Sequence, residues 1–584
     1  MITINATIGT GLYWRGGQVL ELGGPLAVVL SFLLVGFLSW SVMQCVSEML
    51  CIWPIPGALS AYVSEFVDVE LGIATGVAYW FTYSISFSTL IATSAAEFNF
   101  WPSIQESTGI HAGILYLLIP VAIVCANSLE IELILIEIKI YGIIEVITGT
   151  IKLLLLAVII CVLIAINRGA FKYLKCSAFN IRFKKWVFIV TLQLVLNILL
   201  NNRNLDWKSA TEFDSDAAGN WFAALLIGMS IATFSFVGIE IVAASALEAK
   251  WPRQDHKSKV SSSLDITPRP NDTLIGNQIK FSAIFISVLA TVVYVVAAFL
   301  VTLDIYRGDC ALPRVSWLSE DIKSNCTAPG SKAAFVAIAL ESGIPHLADL
   351  FNVFLIFTCL TCTSTNLYVA SRTLFGLTSG LEGGKGQRWY LRILAWFGKT
   401  NRHQVPIRAV IFSAVSFSWV PFLQLIGKPD TRSSINEFIE ILSQMASIGV
   451  LIVWGMNCLA FLRYHKCISV HENQKIFKAR GVPQFQRDDY SEYPYRSHGQ
   501  PLLAYFAFSG CFFLLIVAGG AALWKSWNLL PFLASYLPVL AFFALWVLLK
   551  IARRAPWGLV DLSDGHMVAT KLQRLHEIRG ATQI

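Results

Sequence analysis

Apolar residues recur along this chain in runs about as long as a bilayer-crossing helix, on the order of 20 residues. Twelve such runs are read from the sequence: 1–22, 25–51, 72–100, 113–129, 143–166, 220–248, 280–303, 333–363, 406–426, 436–462, 501–523 and 530–550. The pattern predicts an all-α polytopic membrane protein with twelve transmembrane helices. Two runs are broken. In the first, Thr7-Ile8-Gly9-Thr10-Gly11 separates Met1-Ile2-Thr3-Ile4-Asn5-Ala6 from Leu12-Tyr13-Trp14. Its glycines lower helix propensity and let backbone approach a ligand closely. In the sixth, Ala232-Thr233-Phe234-Ser235-Phe236-Val237-Gly238-Ile239-Glu240 brings two hydroxyls, a glycine and a carboxylate into an apolar segment. Unwound backbone at membrane depth is tolerated where it is buried or lines a cavity. A Gly-rich packing face is the alternative reading of the first break. Breaks five spans apart predict an inverted repeat of five helices plus five, with a site at the repeat interface.

Composition narrows the class. Of 584 residues, 55% are hydrophobic and only 14% charged, which excludes a set of soluble domains. Positive charge concentrates in 249–280, 375–405, 463–500 and from Lys550 onward, whereas 101–112 carries none. Basic loops stay cytosolic, so both termini are expected in the cytosol, with the plasma membrane as location. The loops 52–71 and 130–142 are expected on the same side although they are not basic. Residues 1–550 form the predicted transmembrane domain, with polar insertions near 167–219 and 251–274, and 551–584 a cytosolic C-terminal tail. The apolar run 186–200 is too short for a comfortable span and is expected to lie on the surface. The first span begins at residue 1, so a cytosolic N-terminal tail is expected to be missing.

Most of the twelve cysteines lie in apolar runs and read as packing residues. Cys359 and Cys362 have metal-like spacing but no second pair, so packing is expected there too, with no metal and no cofactor. Cys310 and Cys326 share the polar loop 304–332 with the glycosylation pattern Asn325-Cys326-Thr327. An outward-facing, oxidising loop suits both a disulfide and a glycan. The matching Asn271-Asp272-Thr273 lies on the predicted cytosolic side and is expected to stay bare. No nucleophile–base set points to an enzyme, no ring-type filter to a channel, and no nucleic-acid partner is expected.

Paired half-helix ends offer N–H groups to an anion and carbonyls to a cation. That combination suits the zwitterion of an α-amino acid. Charges inside apolar runs are functional candidates because they are costly to bury; Glu48, Glu145, Lys152 and Glu240 qualify. Lys152, among leucines, is the candidate for carrying a proton, with a structural pairing to Glu145 as the alternative. Glu240 is a second coupling candidate or a brace for the broken helix. Glu48 and Glu248 read as structural.

Thr7-Ile8-Gly9-Thr10-Gly11-Leu12-Tyr13 followed by Gly23-Gly24-Pro25, then Glu48, Pro56-Gly57 and Phe66-Val67-Asp68, carry a resemblance. So do Lys139, Tyr141-Gly142, Glu145 and Ile151-Lys152, and Phe234-Ser235-Phe236-Val237-Gly238-Ile239-Glu240 with Glu248 and Pro252-Arg253. Tyr368, Ala370-Ser371-Arg372-Thr373-Leu374, Gly398-Lys399-Thr400-Asn401-Arg402 and Val405-Pro406 complete it. The chain resembles the fungal amino-acid permease family of the amino acid–polyamine–organocation superfamily, in order and over nearly its whole length. The resemblance implies a leucine-transporter-like fold and proton-driven amino-acid uptake. It also implies that N–H groups of Thr10 and Gly11 and the Thr10 hydroxyl meet the substrate carboxylate. Carbonyls of Thr7, Phe234 and Val237 would meet the ammonium. Ile8, Gly9 and Ser235 complete the expected site, and Phe234 is the expected aromatic gate over the bound side chain. Expected partners are an amino acid, protons, membrane lipid, and trafficking or ubiquitin machinery at the cytosolic tails. Some permease relatives are sensors that bind ligand without net flux, which is the alternative function. The chain departs from the family at Asn5-Ala6, where paired glycines are usual, at Arg15, at its two insertions, and at Thr363-Ser364-Thr365-Asn366 in place of Gly-Asn-Ser-Asp.

Overall fold

A computed structural model of the chain describes residues 2–9, 11–101, 111, 113–115, 118–119, 137–167, 211–245, 270–309, 312–315, 333–381, 383–384, 386–401, 405–426, 432–471, 495–525 and 527–581. Thr10, Cys310, Asn325, Cys326, the run 186–200 and most of the predicted span 113–129 lie outside them. Among the described residues every regular element is helical. Eight helices there are long and apolar enough to cross a membrane.

The first two predicted spans follow one another as the helix Gly16–Ile52, kinked at Gly24 (φ 74°, ψ −177°). Pro25 has no N–H to continue the ladder and Gly24 adopts a φ that L side chains avoid, so the chain turns there and restarts. The helix Val69–Glu97 is long enough for the third span, and its many buried Ser and Thr residues face neighbouring helices. Two expectations change in position, and one helix extends beyond its span. Residues 333–363 are not one span: a short buried helix, Ala334–Glu341, precedes the membrane-length helix Leu347–Thr378, because His346 and Gly343 turn the chain at positive φ. The run 406–426 divides into Ile407–Ser416 and Trp419–Ile426. The helix that carries the seventh span starts at Pro270, inside the predicted polar insertion, with proline at the first helical position where its missing N–H costs nothing; its membrane-length apolar part, Ile284–Asp304, falls where the sequence put it.

Corresponding spans of the two predicted repeats pack on each other. Gly16–Ile52 lies along Pro270–Asp304, and Val69–Glu97 along Leu347–Thr378. The long helix Arg432–His471 runs against Val69–Glu97, Leu502–Phe513 and Leu529–Arg553. Trp53, Trp454, Tyr62, Tyr83 and Tyr294 are fully buried where these helices meet, whereas Leu33, Phe37, Leu154, Val292 and Leu540 stud the outward faces. At one end of the bundle the C-terminal segment folds back. Val560 N–H donates to Val67 O at 2.9 Å, Arg463 Nε donates to Phe66 O at 2.6 Å, and the helix Gly565–Ala581 buries Leu572 and Leu575.

Candidate functional site

Both predicted breaks are present. The helix Ile2–Thr7 ends before Gly9, and the chain resumes as a π turn, Gly11–Arg15. The helix Trp221–Thr233 gives way to a tight turn at Phe234–Phe236, then to Ile239–Ile241 and Val242–Ser245. Gly238 makes the reversal possible at φ 109°. The two breaks pack directly on each other: a Cβ at Gly11 would stand 2.5 Å from Ser235 Cα, and one at Gly238 would stand 2.9 Å from Ala6 Cβ. Tyr294, from the seventh span, closes the junction. Its hydroxyl donates to the carbonyls of Thr7 and Ser235, the latter at 2.8 Å.

Two of the three carbonyls expected to receive an ammonium already hold internal donors. Thr7 O accepts from Tyr294, and Phe234 O from Val237 N–H at 3.3 Å. Each carbonyl has two lone pairs, so each keeps one acceptor site. The Ser235 hydroxyl is buried and finds no hydrogen-bond partner among the described residues. Ile8 is buried, and Gly9 lies against Cys362, whose sulfur would stand 2.7 Å from a Cβ there. Phe234 and Val237 are buried beside the junction.

Lys152 reaches the first break. Its ammonium donates to Asn5 O at 2.7 Å and to Cys362 Sγ at 3.7 Å. No ion pair joins it to Glu145 among the described residues, which corrects the simple pairing. Asn5 stands between them, its amide donating to the Glu145 carboxylate and to Thr148 Oγ1 at 3.0 Å. Thr365 donates to Glu145 Oε1 at 3.3 Å, so the first, fifth and eighth spans share one polar cluster. Cys362 is more than a packing residue, because its thiol donates to Asn5 O at 2.9 Å. Glu240 sits apart from this cluster and accepts from Tyr83 OH at 2.5 Å and Trp454 Nε1 at 3.1 Å. That geometry braces the sixth span against the third and tenth. Glu48 accepts from Ser497 N–H at 2.9 Å and from its hydroxyl at 2.5 Å, a structural tie.

A second polar cluster begins just past the first break. Arg15 donates to Glu440 Oε1 at 2.9 Å and to Gln18 Oε1 at 2.8 Å. A cavity of about 30 Å³ borders this pair and is also lined by Ser230 and Gln444. Sequence reasoning missed Tyr294, Tyr83, Trp454 and Glu440, and read Cys362 as packing alone. Only Glu440 carried a signal, as a carboxylate inside the apolar run 436–462. The arrangement leaves carbonyl lone pairs at the junction and keeps an amine in contact with the end of the first half-helix.

The sequence profile described as "Amino acid permease" matches residues 1–258 and 277–557, leaving unmatched a stretch that overlaps the polar insertion. A lysine/arginine permease of Candida albicans is 24% identical over 547 residues, 94% of this chain and 78% of that protein. The SPS-sensor component SSY1 of Saccharomyces cerevisiae is 24% identical over 94% of this chain and 61% of its own length. A dicarboxylic amino acid permease of the same yeast is 24% identical over 88% of this chain and 70% of that protein. Among solved structures, a manganese transporter of Eremococcus coleocola aligns with TM-score 0.50 at 9% identity, covering 98% of this chain and 94% of its own. At that identity the likeness speaks to the fold alone.

Proposed function

The chain belongs to the amino acid permease family, and from that premise we propose that it imports amino acids across the plasma membrane by proton coupling. The observation that carries this reading is the junction of the two breaks, with Lys152 hydrogen-bonded to the Asn5 carbonyl in the half-helix that leads into the first. A change in the charge of that amine is felt at once by the broken helix. In this reading Thr10 and Gly11 N–H groups hold the substrate carboxylate. The free lone pairs of Thr7 and Phe234, with Val237 O, hold the ammonium, and Phe234 covers the side chain. Ile8, Gly9 and Ser235 shape the pocket, Lys152 carries the proton and Glu240 supports the sixth span. Both termini face the cytosol, where the tails meet trafficking or ubiquitin machinery, and the apolar outer faces meet lipid. The outward loop carries a glycan on Asn325 and a Cys310–Cys326 disulfide.

The test is uptake of labelled amino acids by permease-deficient cells expressing the chain, with an imposed pH gradient. Accumulation that collapses with a protonophore supports the reading; surface-expressed protein that accumulates nothing overturns it. The match to the SPS-sensor component favours one other reading, an amino-acid sensor. Ligand binding without uptake separates the two.

A further inference from the structure

Relatives that match this chain at the same 24% identity carry names with opposite substrate charges, lysine/arginine and dicarboxylic. We infer that the buried pair Arg15–Glu440 sets selectivity here, and that the pair selects α-amino acids with uncharged side chains. The inference rests on the reading that the amino acid lies at the junction of the breaks, with Phe234 over its side chain.

The Arg15 guanidinium occupies the neighbourhood where that side chain would lie. It stands 5.4 Å from the centre of the Phe234 ring and 4.7 Å from that of Trp14. Arg15 is 1% exposed and Glu440 5%. Gln18 Nε2 donates to the same carboxylate oxygen at 2.8 Å, and Ser443 accepts from the second guanidinium nitrogen. A charge left alone in such a place costs more than a hydrogen-bonded pair, and the Arg15 Nε already lies buried with no partner among the described residues. A lysine or arginine side chain arriving over Phe234 would have to take Glu440 from Arg15, leaving the guanidinium buried without its carboxylate. A glutamate or aspartate side chain would find both terminal guanidinium nitrogens of Arg15 already held, by Glu440, Gln18 and Ser443, and would bring a second carboxylate beside Glu440. An uncharged side chain meets neither obstacle. The cavity beside the pair is small for a displaced side chain: about 30 Å³ holds a water or two, and Ile227, Ile231 and Ile441 line it together with Ser230, Gln444 and Ser535.

The experiment measures binding of leucine, lysine and glutamate at pH 7 to the full-length chain in lipid nanodiscs. The parent is expected to bind leucine at least about tenfold more tightly than either charged ligand. Arg15→Met should raise the lysine-to-leucine preference about tenfold, and Glu440→Gln the glutamate-to-leucine preference likewise. The double variant buries no lone charge and should return to the parent's pattern. A parent that binds lysine or glutamate as well as leucine overturns the inference. So does a single variant that binds ligand with the parent's ratios. Should neither single variant fold, the parent and the double variant decide, and a double variant shifted toward a charged ligand overturns it. A parent that binds none of the three overturns the proposed amino-acid site itself and this inference with it.

Discussion

Replacing Gly11 with alanine puts a methyl group where the two breaks already touch. The new carbon would lie 2.5 Å from Ser235 Cα, 2.5 Å from its hydroxyl oxygen and 2.8 Å from its Cβ. Carbon atoms rest at about 3.5–4.0 Å, so the breaks must part by roughly 1 Å. The obstacle includes backbone, and no change of rotamer relieves it. Overpacking of this kind costs about 1–3 kcal/mol. The same movement carries the Gly11 N–H away from the proposed carboxylate position. Loss of one hydrogen bond to a charged group is worth about 1.5–3 kcal/mol, roughly 10- to 150-fold in Kd. Gly16→Ala is the internal control, because a Cβ there meets nothing nearer than Phe32 Cε2 at 3.9 Å. The assay pairs the thermal unfolding midpoint of the full-length chain in nanodiscs with binding of a labelled amino acid. Gly11→Ala should lower both, and Gly16→Ala neither. If Gly11→Ala binds like the parent and melts with Gly16→Ala, the contact between the breaks does not shape the site.

Three further outcomes are expected. Glu240→Leu leaves the Tyr83 hydroxyl and Trp454 N–H buried without their acceptor, at about 1–3 kcal/mol each; a melting midpoint equal to the parent's would exclude the bracing role. Lys152→Ala should abolish accumulation driven by a pH gradient while ligand binding persists, and undiminished accumulation would move the proton elsewhere, with Glu240 next in line. Asp68 caps the helix Val69–Glu97; burial pushes its carboxyl up, but hydrogen bonds from Lys550, Leu71 N–H and Trp546 outweigh this and hold it below its ordinary 3.8. Its stabilising contribution is complete above that value and is lost as pH falls through the lower folded-state one. Acid titration of unfolding should therefore fall more steeply for the parent than for Asp68→Asn, and parallel curves would count against the tie.

The sequence by itself determined that this chain is a bundle of membrane-length helices with two breaks, and where those breaks fall. Both properties are local. An apolar run of about 20 residues satisfies its own backbone as a helix, and Gly9, Gly11 and Gly238 weaken helix at their own positions. The order of motifs also sufficed for the family resemblance. Helix ends were less legible, as at Pro270 and at Ser342–His346, because a hydropathy run does not register a turn packed inside protein.

Only the tertiary structure decided which side chains act together. Asn5, a departure from the usual glycine, proves to link Lys152 with Glu145 across the first and fifth spans. Arg15 finds Glu440, 425 residues away, and Tyr294 reaches from the seventh span to carbonyls of both breaks. Hydropathy says that a helix is buried, not which neighbour its polar positions meet. In a low-dielectric interior a polar group without a partner is costly, and the partner is supplied by how the helices pack.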